Sequence, residues 1–159
     1  RLGPGARLLL VGDGPSRESI EARAAARDVT ERVEITGVVD REAIPDHVRS
    51  MDICVQPAAT AWASPLKLFE YMAAGRAIVA PDQPNLTEVL THDRDAVLFE
   101  PGQPEAMAAA VARLATDTVL RRDLGAAARH SVAHTPYTWD GNAARVAEVA
   151  AECIEERAS

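Results

Sequence analysis

Five short, mostly apolar runs alternate with segments of helical character, and this rhythm leaves the chain few folds. The runs are residues 6–11, 32–36, 52–55, 77–80 and 96–99. Between the first four lie candidate helices at 16–27, 41–51 and 64–75, and a brief one at 85–91 precedes the fifth. Three more follow the last run, at 104–116, 118–135 and 138–156. Runs this short do not make helices, and their apolar character does not suit strands with one face in water. Strands alternating with helices predict an α/β fold, a parallel sheet with helices on both faces. A chain of 159 residues suffices for one such domain.

Ligands of parallel sheets bind beyond the carboxyl ends of the strands. The loops at 12–15, 37–40, 56–63 and 81–84 therefore form one candidate edge. The best-marked helix, 64–75, starts on that edge. Ser64 can cap its first turn, Pro65 suits a first helical position where a missing N–H costs nothing, and Gly75 can close it in a left-handed conformation. The free N–H groups and positive dipole end of such a helix attract an anion.

Lys67 is the chain's only lysine among 17 basic residues. A cation in a first turn opposes the helix dipole, unless it shares an anion with the helix start. The plainer reading is a solvated lysine pairing weakly with Glu70. Glu70 falls beside Leu66, Phe69 and Ala73 at the margin of the apolar stripe, where a carboxylate needs a partner. Lys67, a backbone N–H or a bound hydroxyl would serve.

Composition excludes several functions. A net charge of −7 and a pI near 5.1 disfavour nucleic acid polymers, and 4% aromatic content gives no stacking platform for single strands. No run approaches the ~20 apolar residues of a membrane span, and no secretory leader pattern opens the chain, so a cytoplasmic location is expected. Cys54 and Cys153 show no framework spacing and read as packing residues in a reduced protein. His130 and His134 are spaced for one helix face, but without a third ligand they predict no metal site. His47 and His92 read as solvated, Asp13 and Asp82 as turn caps. Gly12-Asp13-Gly14 lacks the third glycine of a dinucleotide fingerprint, Arg17 standing in its place.

Several segments together resemble the C-terminal, donor-binding domain of a GT-B retaining glycosyltransferase of the glycosyl transferases group 1 family. They are Leu9-Leu10-Val11-Gly12-Asp13-Gly14-Pro15, Val33-Glu34-Ile35-Thr36-Gly37-Val38-Val39, Met51-Asp52-Ile53-Cys54-Val55-Gln56-Pro57, and the helix 64–75 with Ala77-Ile78-Val79-Ala80. Leu98-Phe99-Glu100-Pro101-Gly102 and Tyr137-Thr138-Trp139 also fit. The resemblance implies a Rossmann-like sheet, one half of a GT-B architecture, with residues 1–159 forming a single nucleotide-sugar binding domain of a larger two-domain enzyme of carbohydrate biosynthesis. It implies no cofactor and no metal, with a nucleotide-sugar and an N-terminal acceptor-binding domain as partners. By the same resemblance Glu70 would hold the donor ribose, the N–H groups of Leu66 and Lys67 beside Ser64 and Pro65 would meet the diphosphate or sugar, and Lys67 would stabilise the leaving group. Val38 would lie at the base, and Gly12 in the loop after the first strand. Trp62 stands where the family motif has its first glutamate, which leaves the sugar open. The family's diphosphate-clamping Arg and Lys belong ahead of residue 6 and are not found here. The isolated chain is therefore expected to be inactive; a non-catalytic module sensing nucleotide-sugars is the alternative.

Overall fold

The computed structural model describes all residues except Arg1, Leu2, Pro4, Pro65, Pro136 and Ser159. Five strands are present among the described residues: β1 (Leu8–Leu10), β2 (Val33–Ile35), β3 (Ile53–Val55), β4 (Ala77–Pro81) and β5 (Val97–Phe99). Seven helices accompany them: α1 (Arg17–Ala25), α2 (Ile44–Ser50), α3 (Leu66–Ala73), α4 (Pro84–Thr87), α5 (Pro104–Thr116), α6 (Thr118–Ala133) and α7 (Trp139–Ala158). The expected helix at 41–51 divides into a 3-10 turn, Arg41–Ala43, and α2, with Pro45 in the first turn of α2. Proline tolerates that place because the first turn has no use for its missing N–H.

Every ladder is parallel, as the rhythm of the sequence requires. The sheet is nevertheless in two pieces: β1 pairs with β2, and β3, β4 and β5 form a separate three-stranded sheet in that order. In the second sheet β4 lies in the middle and is buried along its whole length. Its side chains alternate between two cores. Ile78 and Ala80 meet Leu68 and Met72 of α3, Leu86, Leu90 and Ala128. Ala77 and Val79 meet Ala110 and Leu114 of α5 and Leu124 of α6.

α3 ends as the sequence predicts. Gly75 has φ +65°, its N–H bonds to Met72 O at 2.9 Å, and Arg76 N–H reaches back to Tyr71 O at 3.1 Å. These paired bonds are the Schellman closure, which satisfies the last carbonyls of the helix. The carbonyl of Gly75 lies against α6 at Gly125, where a Cβ would come within 2.3 Å of it. Only glycine admits this approach, and it seats α6 on the turn joining α3 to β4.

α7 departs from expectation. Apart from half-buried Gly141, its described side chains are exposed, including Trp139, Val146 and Ile154. Cys153 is therefore at the surface and not packed as expected, whereas Cys54 is buried in β3. The helix expected at 138–156 forms, but its described side chains lie at the surface. Its entry is held by Tyr137, whose ring meets Phe69 of α3 at 5.1 Å. No described helix is long and apolar enough to cross a membrane.

Candidate functional site

The loops after β1 and β2 are tied together. Gly12 takes φ +123° and Gly37 φ +71°, and the two form an antiparallel bridge. Gly12 N–H donates to Thr36 Oγ1 at 3.2 Å, and that hydroxyl donates to Gly37 O at 2.8 Å. Asp13 accepts the N–H of Gly14 at 2.8 Å and pairs with Arg17 at 3.6 Å, so it is a turn cap as its position suggests. Val38, in the loop just beyond, is 87% exposed.

The loop 56–63 is held from the segment after β4. Gln83 Nε2 donates to Ala59 O at 3.2 Å, and Asn85 Nδ2 donates to Thr60 O at 3.1 Å and Ala63 O at 2.6 Å. Gln56 donates its own side-chain N–H to Ala58 O. The three amide oxygens left over, Gln56 Oε1, Gln83 Oε1 and Asn85 Oδ1, are buried with no partner among the described residues. Sequence reading did not find this arrangement. The available signal was a pair of amides, Gln83 and Asn85, placed just after a buried strand.

α3 begins at Leu66, directly after this loop. Ser64 is exposed, and Pro65, expected at the first helical position, lies outside the described residues. Leu66 is 75% exposed although apolar, and Trp62 four residues earlier is 86% exposed. Lys67 and Glu70 are both exposed, and among the described residues neither side chain has an ion pair or hydrogen bond. The expected weak pair between them is not formed. Glu70 also lies farther out than the edge of an apolar stripe, since the buried face of α3 is carried by Leu68 and Met72. Among the described residues, a cation and a carboxylate thus stand without side-chain partners on one turn. Beneath them, burial pushes the Tyr71 hydroxyl up to about 12, with Cys54 and Glu70 adding to the shift. Burial also pushes the Cys54 thiol up to about 12, against an opposing effect of Arg76. Neither group ionises near neutral pH.

Outside this edge, the rings of His130 and His134 stack at 4.1 Å, and no third ligating side chain joins them among the described residues. His92 is exposed, yet it is not merely solvated: its Nδ1 accepts the N–H of Leu98 at 2.9 Å. The fully buried Asp95 was not singled out in the sequence. Its carboxylate accepts from Thr91 N–H at 2.6 Å, Arg94 at 2.8 Å and Ser131 Oγ at 3.2 Å, tying the loop before β5 to α6.

Residues 1–117 match the family model described as glycosyl transferases group 1. A GDP-mannose-dependent alpha-(1-6)-phosphatidylinositol monomannoside mannosyltransferase of Mycobacterium tuberculosis is 29% identical over 150 residues, 91% of this chain and 39% of that protein. Sucrose-phosphate synthase of Thermosynechococcus elongatus superposes with a TM-score of 0.80 at 25% identity, covering 96% of this chain and 40% of that one. The Anabaena protein HepE, solved in complex with UDP, superposes with a TM-score of 0.81 at 18% identity, over 95% of this chain and 42% of that one. The chain thus spans about two fifths of the proteins it is compared with here.

Proposed function

Since the chain belongs to the glycosyl transferases group 1 family, with the Rossmann-like α/β fold of GT-B enzymes, we propose that it is the donor-binding domain of a glycosyltransferase that moves a sugar from a nucleotide-sugar to an acceptor with retention of configuration. The observation that carries this reading is the unpartnered pair Lys67 and Glu70 on the first turns of α3, at the ligand edge of the sheet. The two charges suit the two halves of a nucleoside diphosphate.

In this reading the diphosphate lies at the start of α3, against the N–H groups of Leu66 and Lys67. The helix dipole and the ammonium of Lys67 stabilise the negative charge that grows on the diphosphate as the glycosidic bond to it breaks. The carboxylate of Glu70 accepts hydrogen bonds from the two ribose hydroxyls and so fixes where the anomeric carbon stands. Trp62 and the loop 56–63 border the sugar. No residue of this mechanism requires a metal. The relatives support a nucleotide donor without choosing its base, since one is named for GDP-mannose and another was solved with UDP. The acceptor is bound by a second domain of the longer polypeptide.

Calorimetry with GDP and UDP on the full-length protein tests the reading. Removing a charge-assisted hydrogen bond costs about 1.5–3 kcal/mol, so Glu70→Ala should weaken the preferred nucleotide by roughly ten- to over a hundredfold, and Glu70→Gln by less. Equal affinity in wild type and Glu70→Ala would remove the ribose role.

A further inference from the structure

The side-chain amides that grip the loop 56–63 all do so with one polarity. Gln56 Nε2 donates to Ala58 O, Gln83 Nε2 to Ala59 O at 3.2 Å, and Asn85 Nδ2 to Thr60 O at 3.1 Å and Ala63 O at 2.6 Å. The loop is held by its carbonyls alone. An amide oxygen is equally able to accept an N–H of the loop, yet Gln56 Oε1, Gln83 Oε1 and Asn85 Oδ1 have no partner among the described residues. Turning any of these amides over would set its oxygen against a carbonyl oxygen, so the loop dictates their orientation.

This polarity determines the other side of the loop. A peptide group is planar and trans, so its N–H points opposite to its C=O. With the carbonyls of Ala58, Ala59, Thr60 and Ala63 turned to the amides, the N–H groups of Ala59, Thr60, Ala61 and Ser64 turn away from them. The amides lie on the inner side: Gln56 is 6% exposed and Gln83 and Asn85 are half-buried, whereas Thr60, Ala61 and Ser64 are exposed. Among the described residues none of these N–H groups has a hydrogen-bond partner; the turn within the loop uses Ala63 N–H, which reaches Thr60 O at 3.1 Å. Alanine at 58, 59, 61 and 63 leaves the backbone unshielded, and no residue from Gln56 to Leu66 is ionisable. The loop therefore offers a ligand a row of backbone donors and one indole. It follows β3 at the carboxyl end of the sheet and runs directly into α3.

We propose that Gln83 and Asn85, with Gln56, are positioning residues for the sugar of the donor: they hold the loop carbonyls inward and so present the N–H groups of Ala59, Thr60 and Ala61 to the oxygen atoms of the sugar. This rests on the donor site proposed above and adds to it three side chains that do not touch the substrate and act through the loop backbone. Donors fixed before the ligand arrives avoid an ordering cost at binding, and a rigid row of them orients the sugar for transfer. Lys67 and Glu70 serve the nucleotide end, and the amide clamp serves the sugar end. The plainer alternative is a stitch between the loop and α4 that contributes only stability. The two differ in one respect: a stitch does not distinguish a nucleotide-sugar from a nucleoside diphosphate.

Calorimetry on the full-length protein separates them, with UDP, GDP, UDP-glucose, UDP-N-acetylglucosamine and GDP-mannose as probes. The variants are Asn85→Ala, Gln83→Glu and Asn85→Asp, the last keeping the shape of the side chain without an N–H to give. Each should lower the affinity for the best-bound nucleotide-sugar by about tenfold, through two or more weakened hydrogen bonds, while the matching diphosphate changes by less than about twofold. Thr87→Ala, in the same α4 with a hydroxyl that donates to Pro84 O at 3.1 Å, is the control and should change neither. In the wild type, saturating nucleotide-sugar should slow amide exchange at Ala59, Thr60 and Ala61 by at least about tenfold, and the diphosphate alone should not. Equal losses for nucleotide-sugar and diphosphate, or no loss of either, would overturn the inference and leave the donor site standing. So would exchange at the three amides that no nucleotide-sugar slows, a measurement that depends on no variant. A wild type that binds none of the five probes would remove the donor site, and this inference with it.

Discussion

Replacing Gly125 by alanine sets two effects of opposite sign against each other, and the structure decides between them. Gly125 lies inside α6, where alanine is the better helix former by about 1 kcal/mol. Propensity alone therefore predicts a more stable protein. The added methyl would stand 2.3 Å from the carbonyl oxygen of Gly75, 3.0 Å from its carbon and 3.4 Å from the nitrogen of Ala77. All three atoms are backbone, fixed by the closure of α3 and the start of β4. Relief requires α6 to back away by about 1 Å, and a gap of that size forfeits a quarter to a half of each dispersion contact it opens. Leu124 and Ala128 of α6 reach the two cores, so both loosen. Overpacking of this kind costs about 1–3 kcal/mol, and the rigid obstacle places Gly125→Ala at the upper end. The net expectation is a loss of about 2 kcal/mol, read as a fall of roughly 1 M in the urea midpoint followed by circular dichroism. Gly75→Ala is the companion variant: its Cβ meets nothing closer than 3.6 Å, so it should lose only the cost of a left-handed alanine, about 1–2 kcal/mol. An unchanged or raised midpoint for Gly125→Ala would refute the argument that this contact sets the seat of α6.

Further outcomes follow from the polar contacts. Asp95→Ala should cost about 2–4 kcal/mol, because Thr91 N–H and Ser131 Oγ lose a buried acceptor, and thermal melting would show whether it does. Asn85→Ala should release the loop 56–63, seen as faster proteolytic cleavage between residues 59 and 63 with little change in global stability. At pH 8 iodoacetamide should modify exposed Cys153 and spare buried Cys54, giving one adduct by mass spectrometry in the native state and two in urea. Cys54 and Tyr71 have folded-state values raised from 9.0 and 10.0 to about 12, so the folded protein holds these protons longer than the unfolded chain. Their contribution to stability is intact below pH 9 and declines by up to about 1.4 kcal/mol per pH unit for each group as pH rises toward 12. A urea midpoint constant from pH 8.5 to 11 would contradict that sign.

The sequence carried the elements more faithfully than their associations. Gly75 could be read as a helix closure because left-handed backbone is a local demand, and the apolar runs became strands because burial on two faces is written into each run separately. The division of the sheet is a relation between edges distant along the chain, and no periodicity encodes it. Gly125 was not singled out in the sequence, since its reason is the carbonyl of a residue fifty positions earlier. Asp95 and the Gln83–Asn85 clamp escaped for the same cause: their partners are backbone groups whose positions only the fold defines. At the candidate site, Lys67 and Glu70 were conspicuous by composition and spacing, whereas their mutual independence required geometry.

Having a single lysine at the surface, in the first turn of α3, makes the chain chemically addressable. One amine-reactive dye, attached once the α-amino group is blocked, lands at Lys67 and nowhere else. A reporter there senses its own corner of the protein by colour or lifetime, free of averaging over many labelled sites. Protection of that amine from acylation by added nucleotides would map occupancy with no need for turnover.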